Sequence, residues 1–162
     1  MKNILILIIL TFSYNISFSQ IVKADIIATG LTCSMCSNAI NKKLKTIEAV
    51  DSVKTDLNTN TFTVYLNKDN HATPNTFKES VEKAGFYIGS LQILTPSKDV
   101  FNNTSFINLE KTSLKDKDIV TIKILDKGFV TDKEYKRLNK LYSKISTYNL
   151  ENKNNYHFKI IN

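Results

Sequence analysis

The sequence predicts an α+β fold, an antiparallel sheet backed by two helices, followed by a smaller C-terminal unit. Three observations predict it. Between residues 21 and 94, apolar patterns of period two and period 3.6 follow in the order strand, helix, strand, strand, helix, strand. Turn formers sit between them, at Gly30, at Asn58-Thr59-Asn60 and at Gly85. Beyond residue 95 the pattern restarts with shorter strands and one further helix.

Residues 21–28 are rich in Ile and Val and read as the first strand. The first helix spans 34–47 and sets Cys36, Ile40, Leu44 and Ile47 on one face, the spacing of a buried stripe. Residues 50–57 form a second strand. The Asn-Thr-Asn turn follows, with Asn the non-glycine residue most tolerant of left-handed backbone. In 61–66, Phe62, Val64 and Leu66 alternate with Thr61, Thr63 and Tyr65. Pro74 suits the first turn of the second helix. That helix turns Phe77, Val81 and Ala84 inward and stops at Gly85, a natural C-cap. Residues 86–94 supply the last strand. This order is that of the split βαβ, ferredoxin-like βαββαβ sandwich.

Residues 95–162 predict a small α+β or β-rich C-terminal domain of unknown function. Strands are expected at 106–109 and 119–125, the second alternating Val120, Ile122 and Ile124 with Thr121 and Lys123. Thr131-Asp132-Lys133-Glu134 is a capping box opening a helix with Tyr135, Leu138, Tyr142 and Ile145 on one face. Residues 156–160 would close a small sheet.

Residues 1–19 read as a secretory signal peptide. Lys2 is its positive start, 4–10 its aliphatic run, and Ser17 and Ser19 place small residues at −3 and −1 for cleavage before Gln20. The run is far short of the ~18 residues that span a bilayer. The expectation is a mature chain exported to a bacterial periplasm or secreted, without membrane insertion after cleavage, and monomeric. The formal charge is +7; residues 21–94 carry eight Lys against seven acids, and 95–162 thirteen Lys or Arg against eight. A charge so modest and unclustered is a solvated surface and does not indicate nucleic-acid binding.

The chain has only two cysteines, three apart, in Gly30-Leu31-Thr32-Cys33-Ser34-Met35-Cys36. An exported chain stapled by disulfides would carry several separated pairs, so one close pair points to chemistry. Cys33 belongs in the loop and Cys36 in the first helical turn. Both meet the positive helix end and its unpaired N–H groups, which favour thiolate. Two thiolates suit a two-coordinate ion such as Cu(I) or Hg(II), whereas Zn(II) normally takes four ligands. Met35, between the thiols, is expected to face solvent. His71 follows the third strand and belongs at the opposite end, and His157 lies in the C-terminal unit.

Element order, the Gly-Leu-Thr-Cys-x-x-Cys turn and the Ala84-Gly85-Phe86 turn together resemble a heavy-metal-associated domain. That family includes copper chaperones, N-terminal modules of copper-exporting ATPases and periplasmic mercury-binding proteins. The resemblance covers residues 20–94 and names nothing beyond them. It implies a metal carrier and not an enzyme, with Cys33 and Cys36 as ligands and Gly30, Leu31, Thr32, Ser34, Met35 and Phe86 supporting the metal loop. Leu31 stands where the family usually has Met and would plug the core beneath the loop. Phe86 corresponds to the ATPase-type residue and would shield the ion from water. The implied cargo is Cu(I), with Hg(II), Zn(II) or Cd(II) as alternatives. The implied partner is a metal-transporting ATPase or another dithiolate metal protein. A CxxC thiol oxidoreductase is a further alternative, although Thr32 precedes Cys33 where redox motifs carry an aromatic, and neither Pro74 nor Pro96 faces the pair. An adaptor acting through residues 95–162 is another.

Overall fold

The computed structural model describes residues 20–110, 117–149 and 155–161, so the expected signal peptide lies outside them. The N-terminal part follows the expected order. It comprises β1 (Lys23–Thr29), α1 (Ser34–Leu44), β2 (Val50–Asp56), β3 (Thr61–Leu66), α2 (Pro74–Lys83) and β4 (Tyr87–Pro96). β1 lies between β3 and β4, antiparallel to both, and β2 pairs with the outer side of β3. Ala24, Ile26, Phe62, Val64, Leu91 and Ile93 from the strands meet Ile40, Leu44, Phe77 and Val81 from the helices in one buried cluster. The sandwich is held by this alternation: each strand has one apolar face, and the two helical stripes cover it.

α1 ends at Leu44, one turn before the expected Ile47. Thr46 explains the early stop: its hydroxyl donates to the Lys43 carbonyl at 2.7 Å, and the chain leaves in a tighter turn. Ile47 still packs against the core. α2 opens at Pro74 behind a Thr73–Thr76 capping box and closes at Gly85, whose φ of +87° releases the chain into β4.

The sheet does not stop at β4. The remaining elements are α3 (Ser97–Phe101), β5 (Phe106–Asn108), β6 (Ile119–Ile124), α4 (Asp132–Leu141), α5 (Ser146–Asn149) and β7 (Tyr156–Ile161). β6 pairs antiparallel with β4, β7 with β6, and β5 runs parallel to β7. The result is one seven-stranded sheet in the order β2-β3-β1-β4-β6-β7-β5. The boundary expected after residue 94 therefore falls inside β4, and 156–160 pair within the common sheet. Val120, Ile122 and Ile124 alternate inward as expected and join the same core as Ile26 and Phe77.

A second cluster of Leu125, Val130, Leu138 and Tyr148 gathers Tyr135, Tyr142 and Ile145 beneath α4. Thr131 caps α4 by accepting from the Glu134 N–H at 3.2 Å, while the Glu134 carboxylate reaches Lys123 at 2.8 Å. Two short helices, α3 and α5, were not expected. Among the described residues no helix is long and apolar enough to cross a membrane.

Candidate metal centre

The two cysteines sit where β1 hands over to α1. Gly30 takes φ +86°, a left-handed turn in which a Cβ would clash with its own backbone. The chain then runs through Leu31 and Thr32 to Cys33, the N-cap residue of α1, in extended backbone (φ −156°, ψ 164°). Cys36 is the third helical residue, and its N–H donates to the Cys33 carbonyl at 3.1 Å. That closed turn brings the sulfurs within 3.1 Å of each other, Cys33 exposed and Cys36 half-buried.

The Cys36 thiol is pulled below its usual range. The hydrogen bond from the Cys33 thiol is the largest cause, and the Thr32 backbone N–H is the next. The Thr32 hydroxyl, 4.0 Å from Cys36 Sγ, adds to it. Unpaired N–H groups at a helix start have the same sense, because they favour the anion.

The other expected loop residues fall around this pair. Leu31 and Phe86 are half-buried and pack on the core below the turn. The Phe86 ring passes so close to Gly30 that a Cβ there would lie 3.9 Å from it. Ser34 and Met35 occupy the first turn of α1, Met35 being 81% exposed. The 57–60 hairpin shares this end, since Ala28 N–H donates to the Asn60 carbonyl. His71 is at the other end: neighbouring Asn70 donates to the Ile21 carbonyl, before β1 begins.

His157 is neither exposed nor idle. It is 1% exposed, its Nδ1 lies 2.7 Å from Asp126 Oδ1, and its Nε2 lies 3.0 Å from Thr147 Oγ1. Its backbone N–H also donates to Asp126 Oδ2 at 2.6 Å. The group ties β7 to the turn after β6 and lies outside the cysteine turn. Tyr87, also not singled out by the sequence, pairs with Thr29 beside the cysteine loop and is 69% exposed. Its only sequence signal was its place next to Phe86.

Chemically, 3.1 Å lies between a disulfide, about 2.05 Å, and the roughly 4.6 Å that two thiolates take across a linear ion at about 2.3 Å each. The exposed Cys33 side chain can turn outward to open the pair, since nothing buries it. Among the described residues no group of three or more His, Cys, Asp or Glu gathers to hold an ion.

The heavy-metal-associated domain family model matches residues 26–87. The yeast copper transporter domain Ccc2a is 34% identical, over 40% of this chain and 88% of its own, with a TM-score of 0.37. The N-terminal domain of a potential copper-translocating P-type ATPase from Bacillus subtilis is also 34% identical, over 41% and 82%, with a TM-score of 0.37. CopP from Helicobacter pylori is 26% identical, over 41% and 97%, with a TM-score of 0.36. No curated protein matches the chain. Residues 26–87, with the Cys-x-x-Cys turn inside them, are thus a heavy-metal-associated domain.

Proposed function

We propose that this protein is an exported carrier for Cu(I), held between the Cys33 and Cys36 thiolates and passed to a metal-transporting ATPase or another dithiolate metal protein. The observation that carries the reading is the closed thiol pair at the start of α1, one sulfur exposed and one half-buried, inside a heavy-metal-associated domain. Two soft thiolates satisfy Cu(I) without further ligands. Half-buried Cys36 is the anchor. Exposed Cys33 is the ligand a partner thiolate displaces, so the ion crosses through a three-coordinate stage without being released to water. The two relatives named for copper transport and translocation support copper over other thiophilic ions.

Export and a monomeric mature chain belong to the same proposal. Gln20, the expected first mature residue, is itself tied into the described fold. Its N–H donates to Asp99, its side-chain amide to Asp69, and its carbonyl accepts from Thr95.

The test is anaerobic competition of the reduced protein against a chromogenic Cu(I) chelator, beside a Cys33→Ser, Cys36→Ser variant. The expected result is withdrawal of one Cu(I) per chain, abolished in the variant. Failure to compete, with Hg(II) bound instead, would transfer the site to mercury.

A further inference from the structure

The charge that is unclustered along the sequence is gathered by the fold at α4. Lys133, Lys136, Arg137 and Lys140 follow at spacings of three and four residues, so they share one face across an arc of about 100°. Lys144 follows in the turn beyond. All five are exposed, and among the described residues none pairs with a carboxylate. Tyr135, Leu138 and Tyr142 occupy the opposite face and join the cluster beneath the helix. Leu141, one turn past Arg137, borders the cations and is 62% exposed.

Helix stability does not ask for this arrangement. α2 sets opposite charges four residues apart, Lys78 with Glu82 and Lys83 with Glu79. α4 instead repeats like charges at that spacing, Lys133 with Arg137 and Lys136 with Lys140, which weakens a helix in water. The acids nearby give little relief. Glu134 is taken by Lys123 at 2.8 Å, and Asp126 by His157 at 2.7 Å. Glu110 acts on Tyr142, which faces inward. Asp132, one turn before Lys136, offsets one of the five cations and leaves a surplus of four.

The patch also has a definite place in the fold. Val130, just before α4, bridges to Ser90 of β4, and Thr29 pairs with Tyr87 on the same strand. A Cβ on Gly89 would meet Thr29 Cγ2 at 2.5 Å and Thr131 Cγ2 at 3.6 Å. The basic helix thus begins beside Thr29, where β1 enters the cysteine turn.

We infer that α4 is an attachment surface for an anionic lipid bilayer, and that the protein works against such a surface without crossing it. Four of the five cations are lysines, point charges on flexible stems that adapt to any headgroup spacing. The convex side of an exposed helix suits a fluid surface better than a single shaped protein partner. Tyr135 and Tyr142 are turned inward and cannot stack on a base, which sets nucleic acid aside. Leu141 adds an apolar contact that the boundary between headgroups and acyl chains buries. On the carrier reading, this attachment keeps the cysteine turn close to the bilayer in which a metal-transporting ATPase resides.

The inference does not depend on the carried ion, so it is tested without metal. Vesicle sedimentation uses the chain from Gln20 onward, which holds every described element and lacks the apolar run of residues 4–10. The expected result is binding to phosphatidylcholine vesicles that contain phosphatidylglycerol, little to phosphatidylcholine alone, and release as salt rises from about 0.05 to 0.5 M. Lys136→Gln, Arg137→Gln and Lys140→Gln together are expected to weaken binding about a hundredfold, at about fivefold each. Lys42→Gln, Lys43→Gln and Lys45→Gln remove the same charge from the end of α1 and are expected to change it less than about threefold. Leu141→Asn is expected to weaken binding about threefold with the salt dependence unchanged. Equal loss from the two triple variants would overturn the α4 face and leave only net charge. Tighter retention on soluble polyglutamate or on DNA than on the anionic vesicles, at one salt concentration, would overturn the lipid surface in favour of an acidic protein or a nucleic acid. Equal binding to phosphatidylcholine alone, or no binding to the anionic vesicles at low salt, would overturn it outright.

Discussion

At the start of α1, Cys36 is held toward its thiolate first by the Cys33 thiol and then by the Thr32 N–H. Because its folded value is lowered, the thiolate form supports the fold above the ordinary cysteine range. That support is lost as pH falls through the folded value. Replacing Cys33 by Ser exchanges the thiol for a hydroxyl at the most influential position. The ultraviolet thiolate titration of Cys36 is then expected to move upward toward the ordinary range; an unmoved midpoint would show that the helix start alone sets it. At this scale the cysteines, Gly30 and Phe86 were legible, because turn chemistry and ligand chemistry are local in sequence. His157 was not. Its partners Asp126 and Thr147 are 31 and 10 residues away, and only the pairing of β7 with β6 brings it to the first of them. A lone histidine on an alternating strand carries no signal of a buried carboxylate partner.

Among elements, β6 has the widest consequence. It gives the edge of β4 a hydrogen-bonded neighbour along Leu91–Pro96 and extends the core with Val120, Ile122 and Ile124. An open β4 edge would be a template for pairing between molecules. The strand was legible from its alternation, but its neighbour was not: period two gives a strand its faces and says nothing of which edge it joins. For the same reason residues 95–162 read as a unit apart. Short α3 and α5 escaped notice because four or five residues cannot display a helical stripe. Ile122 is fully buried between β4 and β7. Ile122→Ala is expected to lower unfolding stability by about 2–4 kcal/mol. Because the core is continuous, urea unfolding should remain a single transition, seen alike by Tyr fluorescence and by far-ultraviolet circular dichroism. Two separated transitions would show that the C-terminal strands melt on their own.

Over the whole molecule, one seven-stranded sheet places its chemistry at one corner. The cysteine turn, the 57–60 hairpin and the Gly85 turn crowd the same end, while His71 and the α1 lysines lie toward the other. The C-terminal addition braces β4 and leaves Cys33 exposed. In the proposed carrier, holding and yielding a soft ion rests on these two sulfurs, with no larger group of ligating side chains among the described residues. Copper X-ray absorption on the anaerobically loaded protein, with a non-thiol reductant, tests that most directly. The expected spectrum has a shell of two sulfurs per Cu(I) and no nitrogen or oxygen neighbour, and it disappears in the Cys33→Ser, Cys36→Ser variant. A shell of three or four sulfurs, a nitrogen or oxygen ligand, or copper retained without the cysteines would contradict it.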